Sequence, residues 1–241
     1  MLGGQMAKAA MIDALIDEIK KRTVGLREAS IPLEDSALFI REKVTPMIDG
    51  FFPATERAIV LAKIEKSVLF LTTKTVEPIL RKTQANISWD LCNIFLLSVG
   101  AKALSKTGEE YVGMSGDEVC YVAHNYFTEN APFTDFVVHE VAHLFHKLRR
   151  EQLGLKATPK KKYLLPIKYN QRETFAYACE AYNWILGAAD GAKERVALTE
   201  ELIDNYEPPD DSVDLELYYA ALQAAAKSRN GWKKILKMCS D

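Results

Sequence analysis

Two histidines four residues apart, His139 and His143, with Glu140 directly after the first, form an H-E-V-A-H in the middle of Phe133–Arg150, F-T-D-F-V-V-H-E-V-A-H-L-F-H-K-L-R-R. On an α-helix, positions i and i+4 share a face about one turn apart, so both imidazoles can reach one ion. Neutral imidazole is a standard Zn²⁺ ligand, and a catalytic zinc site takes three protein ligands and keeps one position open for water. Glu140, beside the first His, can accept a proton from that water. The chain has only four His, so their concentration in this pattern is specific. The competing reading is a buried helix whose two His satisfy each other or the backbone.

Two imidazoles hold zinc poorly, so a third ligand is needed. His146 lies seven residues after His139, about 10 Å along a helix axis. That is too far for one ion to bridge all three His, and it suits His146 to a supporting contact or the polar rim. His124, at the end of an expected strand, is a further candidate. A stronger one opens R-E-T-F-A-Y-A-C-E: Glu173 stands thirty residues after His143 at the start of the next expected helix, and Ala176 permits close packing of the two helices. Glu180, two turns later on the same face, is the runner-up. With Glu173 on the metal, Glu180 is placed to hydrogen-bond a ligating imidazole. An exposed helical carboxylate is the plain alternative for either Glu.

H-E-V-A-H followed by a helix carrying E-T-F-A resembles the gluzincin group of zinc metallopeptidases, which use the two His of H-E-x-x-H and a downstream Glu. Over about Val119–Leu186 the chain is also similar to the ImmA/IrrE-type regulatory peptidases: a strand and an Asn, the H-E-x-x-H with a further His close behind, then an E-x-x-A helix. It differs from them in lacking an L-M-P after the Glu helix and in placing the trailing His one residue early. The resemblance implies a zincin-like fold and a protein or peptide substrate. It also makes Glu118–Ala123 a candidate edge for binding substrate backbone. An oxyanion donor is expected, with Tyr163, Tyr169 and Tyr177 as candidates.

The elements that must position these residues are mostly helices. Phe136, Val137, Val141, Ala142, Leu144, Phe145 and Leu148 make the H-E-x-x-H stretch an apolar, buried helix. Pro132 suits its first turn, Thr134 and Asp135 are acceptors near its positive end, and Gly154 follows the basic Lys147, Arg149 and Arg150. Upstream, helical spacing marks residues 5–22, 33–49 (interrupted or kinked near Pro46) and 54 to about 71, with a shorter turn at 77–82. The texture then changes. Leu91–Leu97, Tyr111–Met114 and Glu118–Ala123 suggest a small sheet, the last two segments bracketing the hairpin loop Ser115-Gly116-Asp117. A buried helix is the alternative for 91–105. Downstream, Pro159-Lys160-Lys161-Lys162 could meet phosphates or an acidic partner, but reads better as a solvated loop. Helices follow at 171–186 (ended by Gly187), 193–205, 212–227 and 232–238.

At 241 residues, 48% hydrophobic and 27% charged, with a net charge of −2, the chain can bury a core and shows no overall nucleic-acid footprint. Its four scattered Cys form no C-x-x-C, which indicates neither a zinc ribbon nor a disulfide scaffold and suits reduced thiols. No basic leader precedes an apolar run, and no stretch of about 18 apolar residues exists to span a membrane. A cytoplasmic setting is expected; export by a signal-independent route would leave no mark in the sequence. The fold expected is α+β and helix-rich, with a small sheet beside the H-E-x-x-H helix. Residues 1–85 form an N-terminal helical part and 86–241 the zincin-like core, read together as one compact unit. The function expected is zinc-dependent hydrolysis of peptide bonds. The alternative is a catalytically quiet zinc-binding interaction or regulatory protein.

Overall fold

A computed structural model describes residues 2–26, 36–104, 113–116, 118–127 and 131–240, without the side chains of residues 2–5 and His124. In chain order the elements are α1 (Leu2–Arg22), α2 (Ser36–Phe51), α3 (Ala54–Ser67), β1 (Val68–Leu71), α4 (Val76–Lys82), α5 (Ala85–Ser98), β2 (Gly113–Ser115), β3 (Cys120–Ala123), α6 (Phe136–Lys147), α7 (Arg172–Ala188), α8 (Ala192–Asn205), α9 (Leu215–Ala226) and α10 (Gly231–Cys239). Among the described residues the fold is helix-rich α+β with one three-stranded sheet, ordered β1-β3-β2. Among the described residues no helix is long and apolar enough to cross a membrane.

The chain forms two compact units: Met1–Leu33, Leu69–Met114 and Tyr121–Asn130 in one, Glu34–Val68, Ser115–Cys120 and Ala131–Asp241 in the other. Each draws on several stretches, so neither coincides with residues 1–85 or 86–241.

In the first unit α1 buries Ile12, Leu15, Ile16 and Ile19 and packs on α5. Leu91–Leu97, expected as a strand with a buried helix as the alternative, is the body of α5. Its helical period is hidden because α1, α4 and the short 3₁₀ turn His124–Phe127 all pack against it. A helix covered on several sides is apolar all round. The helix expected to run from Ala54 to about Leu71 instead stops at Ser67 and becomes β1, with Val68 already extended at φ −92°, ψ 119°. Branched and aromatic side chains in V-L-F-L-T-T favour that switch. The hairpin closes through Gly116 N–H donating to Val119 O at 2.7 Å. Tyr111, Val112 and Asp117 of the expected hairpin lie outside the described residues. Because β3 is the middle strand, both its sides are paired. Among the described residues Cys120–Ala123 of the expected Glu118–Ala123 edge is therefore paired on both sides, Glu118 and Val119 precede the strand, and the outer strands are β1 and β2.

The second unit is built on α7, against which α6, α9 and α10 pack. Phe51 of α2 sits among Phe145 of α6 (ring centroids 6.0 Å), Phe175 of α7 (5.5 Å) and Trp232 of α10 (5.5 Å). Four helices are locked by this one ring cluster. Gly50 lets α2 approach closely, since a Cβ there would overlap the indole of Trp232. Pro46 lies inside α2 without ending it.

Helix α6 starts at Phe136 rather than in the turn at Pro132, with Asp135 as its N-cap accepting from Val138 N–H at 3.3 Å. It ends at Lys147, so Arg149 and Arg150 lie beyond it. Arg150 is buried and bonded to Glu56 and to Lys156 O (2.8 Å). Gly154, at φ +70°, closes the 3₁₀ turn Arg150–Leu153 instead of α6. Gly187 falls within α7, which reaches Ala188.

Candidate metal centre

Helix α6 presents His139 and His143 on one face, and the first turn of α7 presents Glu173 opposite them. Their ligand atoms draw together. His139 Nε2 and His143 Nε2 are 3.1 Å apart, and Glu173 Oε2 is 3.1 Å from His143 Nε2 and 3.8 Å from His139 Nε2. A triangle of these sides has its centre about 2.0 Å from each corner, the length of a Zn–N or Zn–O bond. These three residues form a group that could hold a metal ion. His139 and His143 are buried, while the side chain of Glu173 keeps about a third of its surface exposed (31%), so one flank stays open.

The outer nitrogens are held as well. His139 Nδ1 lies 3.0 Å from Glu180 Oε2, and Glu180 Oε1 accepts from Asp135 N–H at 2.7 Å, tying the imidazole to the start of its own helix. Asp135 pairs with Lys43 at 2.9 Å. Glu180, almost wholly buried, is thus bonded to the far side of a candidate ligand, seven residues along α7 from Glu173. His143 Nδ1 meets His146 Nε2 at 3.1 Å. With both rings neutral, and Nδ1–H donating to Glu180 in one and to His146 in the other, both Nε2 atoms carry lone pairs. These roles are inferred from partners. Once His139 has given up its Nε2 proton, two nitrogen lone pairs and a carboxylate oxygen face one another, an arrangement that a cation satisfies.

Without a metal, the surrounding carboxylates favour a proton on His139. Burial works against a charged His139, but the hydrogen bond to Glu180 and the charges of Glu180, Glu140 and Glu173 outweigh it and lift the imidazole to about 9. Burial is the largest influence holding His143 below its ordinary value. Burial also dominates at His146, which with the charges of His143, Lys147 and Arg172 is held near about 3 and stays neutral. For Glu173 burial acts upward, yet the bond to His143 and the charges of His143, His139 and Arg172 bring it down to about 2. Glu173 is therefore ionised at any pH where the imidazoles can be neutral.

Glu140 sits between the two candidate ligands His139 and His143 in sequence and is buried, with Oε2 lacking any hydrogen-bond partner. Burial raises its carboxyl to about 7 against the opposing influence of His139, Lys147 and a bond from Ser115. Ser115 in turn accepts from Lys147 Nζ, at 2.6 Å through Oγ and 2.8 Å through its carbonyl. Sequence reasoning missed this Lys147–Ser115–Glu140 chain. Lys147, eight residues after His139, could have been read as the next full turn pair of that face, but nothing marks Ser115 in advance. Of the tyrosines, Tyr177 stacks edge-on against His139 with ring centroids 4.5 Å apart. Tyr163 and Tyr169 are exposed. The side chain of His124 lies outside the described residues.

No protein-family model, characterised protein or solved structure matches the chain.

Proposed function

We propose that the chain is a zinc-dependent peptidase of the gluzincin type, with His139, His143 and Glu173 as metal ligands and Glu140 as the general base and acid. The observation that carries the reading is the pairing of two features. Three ligand atoms converge on a point at bonding distance from each, and a buried carboxylate with an unpartnered oxygen adjoins them. A site that held metal only for stability would be closed by a fourth ligand and would have no use for Glu140.

Zinc bound at these three atoms would polarise a scissile carbonyl and acidify a water molecule. The protein's own groups divide the remaining work. Glu180 and His146 fix the ring orientation and proton position of the two imidazoles, as partners behind metal-ligating His generally do. Glu140, poised near neutrality by burial, takes a proton from water and returns it to the leaving amine. The Ser115 bond and the charge of Lys147 favour the ionised form of Glu140 and keep it available as a base. The substrate is a protein or peptide.

The test is a search for newly formed N-termini in a complex peptide mixture, comparing zinc-loaded wild type with zinc-loaded Glu140→Gln. General-base loss lowers turnover by about 10²–10⁴-fold. Cleavage by the wild type that disappears in Glu140→Gln supports the reading. Cleavage by neither, with zinc bound to both, favours a quiet zinc-binding protein.

A further inference from the structure

Alongside the metal centre, and within the same unit, runs a cleft of about 760 Å³, in the size range of ligand sites. Its walls carry Lys147, Arg149, Lys160, Lys162 and Arg172, against a single carboxylate, Glu118. Glu118 already has Lys63 at 2.9 Å and Gln152 at 3.2 Å. Among the described residues no carboxylate forms an ion pair with Arg149, Lys160, Lys162 or Arg172. The chain as a whole is slightly acidic, at −2, so this concentration of positive charge is local. Arg172 is fixed at the wall: its Nε donates to Tyr169 O at 2.9 Å, and its guanidinium lies 3.7 Å from the centre of the Tyr169 ring.

The cleft reaches the ligands through two residues. His146 lines it and touches His143 Nδ1, and Arg172 lines it next to Glu173 in sequence. Lys160 and Lys162, of the loop at 159–162, therefore do more than keep a turn in solvent. They form one wall of a cationic cleft beside the candidate metal centre.

We infer that this cleft binds an acidic segment of the peptide substrate, rich in Asp and Glu, and delivers the adjoining peptide bond to the metal centre. The inference rests on the peptidase reading for the word substrate, and on the cleft's charge for the word acidic. Converging cations in a concave setting attract carboxylates and reject basic segments. A single-stranded nucleic acid carries the same sign of charge, but the neighbouring Glu140 and ligand triad are equipped for acyl chemistry, which favours the peptide.

The experiment uses the full chain as zinc-loaded Glu140→Gln, so that binding is seen without turnover. Three fluorescent probes are titrated: a short Asp/Glu-rich peptide, its Asn/Gln counterpart and a single-stranded oligonucleotide. Exposed charge pairs contribute up to about fivefold each, so the acidic peptide should bind about tenfold or more tighter than the neutral one, the margin shrinking with salt. Lys160→Glu combined with Lys162→Glu should abolish the preference. Arg149→Glu, on a separate segment, should reduce it and guards against a local folding defect. Equal binding of the two peptides, a preference that survives both sets of reversals, or an oligonucleotide that displaces the acidic peptide would each overturn the inference. Turnover by the wild type separates the two claims. Acidic-peptide binding with no hydrolysis of any peptide overturns the peptidase reading, whereas hydrolysis indifferent to acidic flanks overturns the role of the cleft.

Discussion

Replacing Glu180 by Gln changes almost no volume and separates ligand support from ligation. The carboxylate serves two donors at once, His139 Nδ1–H through Oε2 (3.0 Å) and Asp135 N–H through Oε1 (2.7 Å). A carboxylate can accept from both; a carboxamide has one accepting and one donating end. If Gln keeps its oxygen toward Asp135 N–H, its NH₂ faces His139 Nδ1 and selects the tautomer with the proton on Nε2, the atom we propose as the metal ligand. If it flips, two N–H groups face each other at the cap of α6. Either way metal binding pays for a rearrangement, and such partners typically contribute 10–100-fold in affinity, about 1.4–2.7 kcal/mol. Competition against a zinc-binding dye at fixed pH measures the difference directly. The expected outcome is a 10–100-fold weaker site that still saturates at the wild-type stoichiometry. Wild-type affinity would show that the Glu180 contact does not set the tautomer. Complete loss of zinc would show that Glu180 is itself a ligand, and would refute the assignment of Glu173.

Two further outcomes follow from the geometry. Before metal binds, His139 is protonated below about 9, and a ligating nitrogen must be neutral; zinc uptake at pH 8 should therefore release about one proton per chain, and affinity should rise about tenfold per pH unit up to about 9 and then level off. Calorimetry in buffers of different ionisation heat measures the release, and a proton-neutral uptake at pH 8 would contradict the charged imidazole. Gly50→Ala should destabilise the second unit by about 1–3 kcal/mol through overlap with Trp232, outweighing a helix-propensity gain of up to about 1 kcal/mol; a raised urea midpoint would refute the close contact of α2 with α10.

The cluster of His139, His143 and Glu173 was readable because its spacing is local chemistry on one helix plus the first acidic residue of the next. His139 and His143 need only the α6 period, and Glu173 needs only that α7 pack on α6, as it does. What could not be read depends on contacts distant in sequence. Leu91–Leu97 looks like a strand because neighbours cover several sides of α5, and β1 hides in the apolar tail of α3 because V-L-F-L continues that helix's composition. Middle or edge position in a sheet is a pairing property, so β3 could be predicted as a strand but not as the central one. Ser115 reaches Glu140 from a hairpin, and the Pro159–Lys162 loop becomes a cleft wall only when Arg149 and Arg172 arrive from two other segments.

The central claim is that His139, His143 and Glu173 together hold one catalytic ion. Elemental analysis after zinc loading and desalting, on wild type, His143→Ala and Glu173→Ala, tests it most directly. The account predicts about one zinc per wild-type chain and close to none in either variant, with all three folded. Zinc absent from the wild type, or retained at full stoichiometry by either variant, would contradict it.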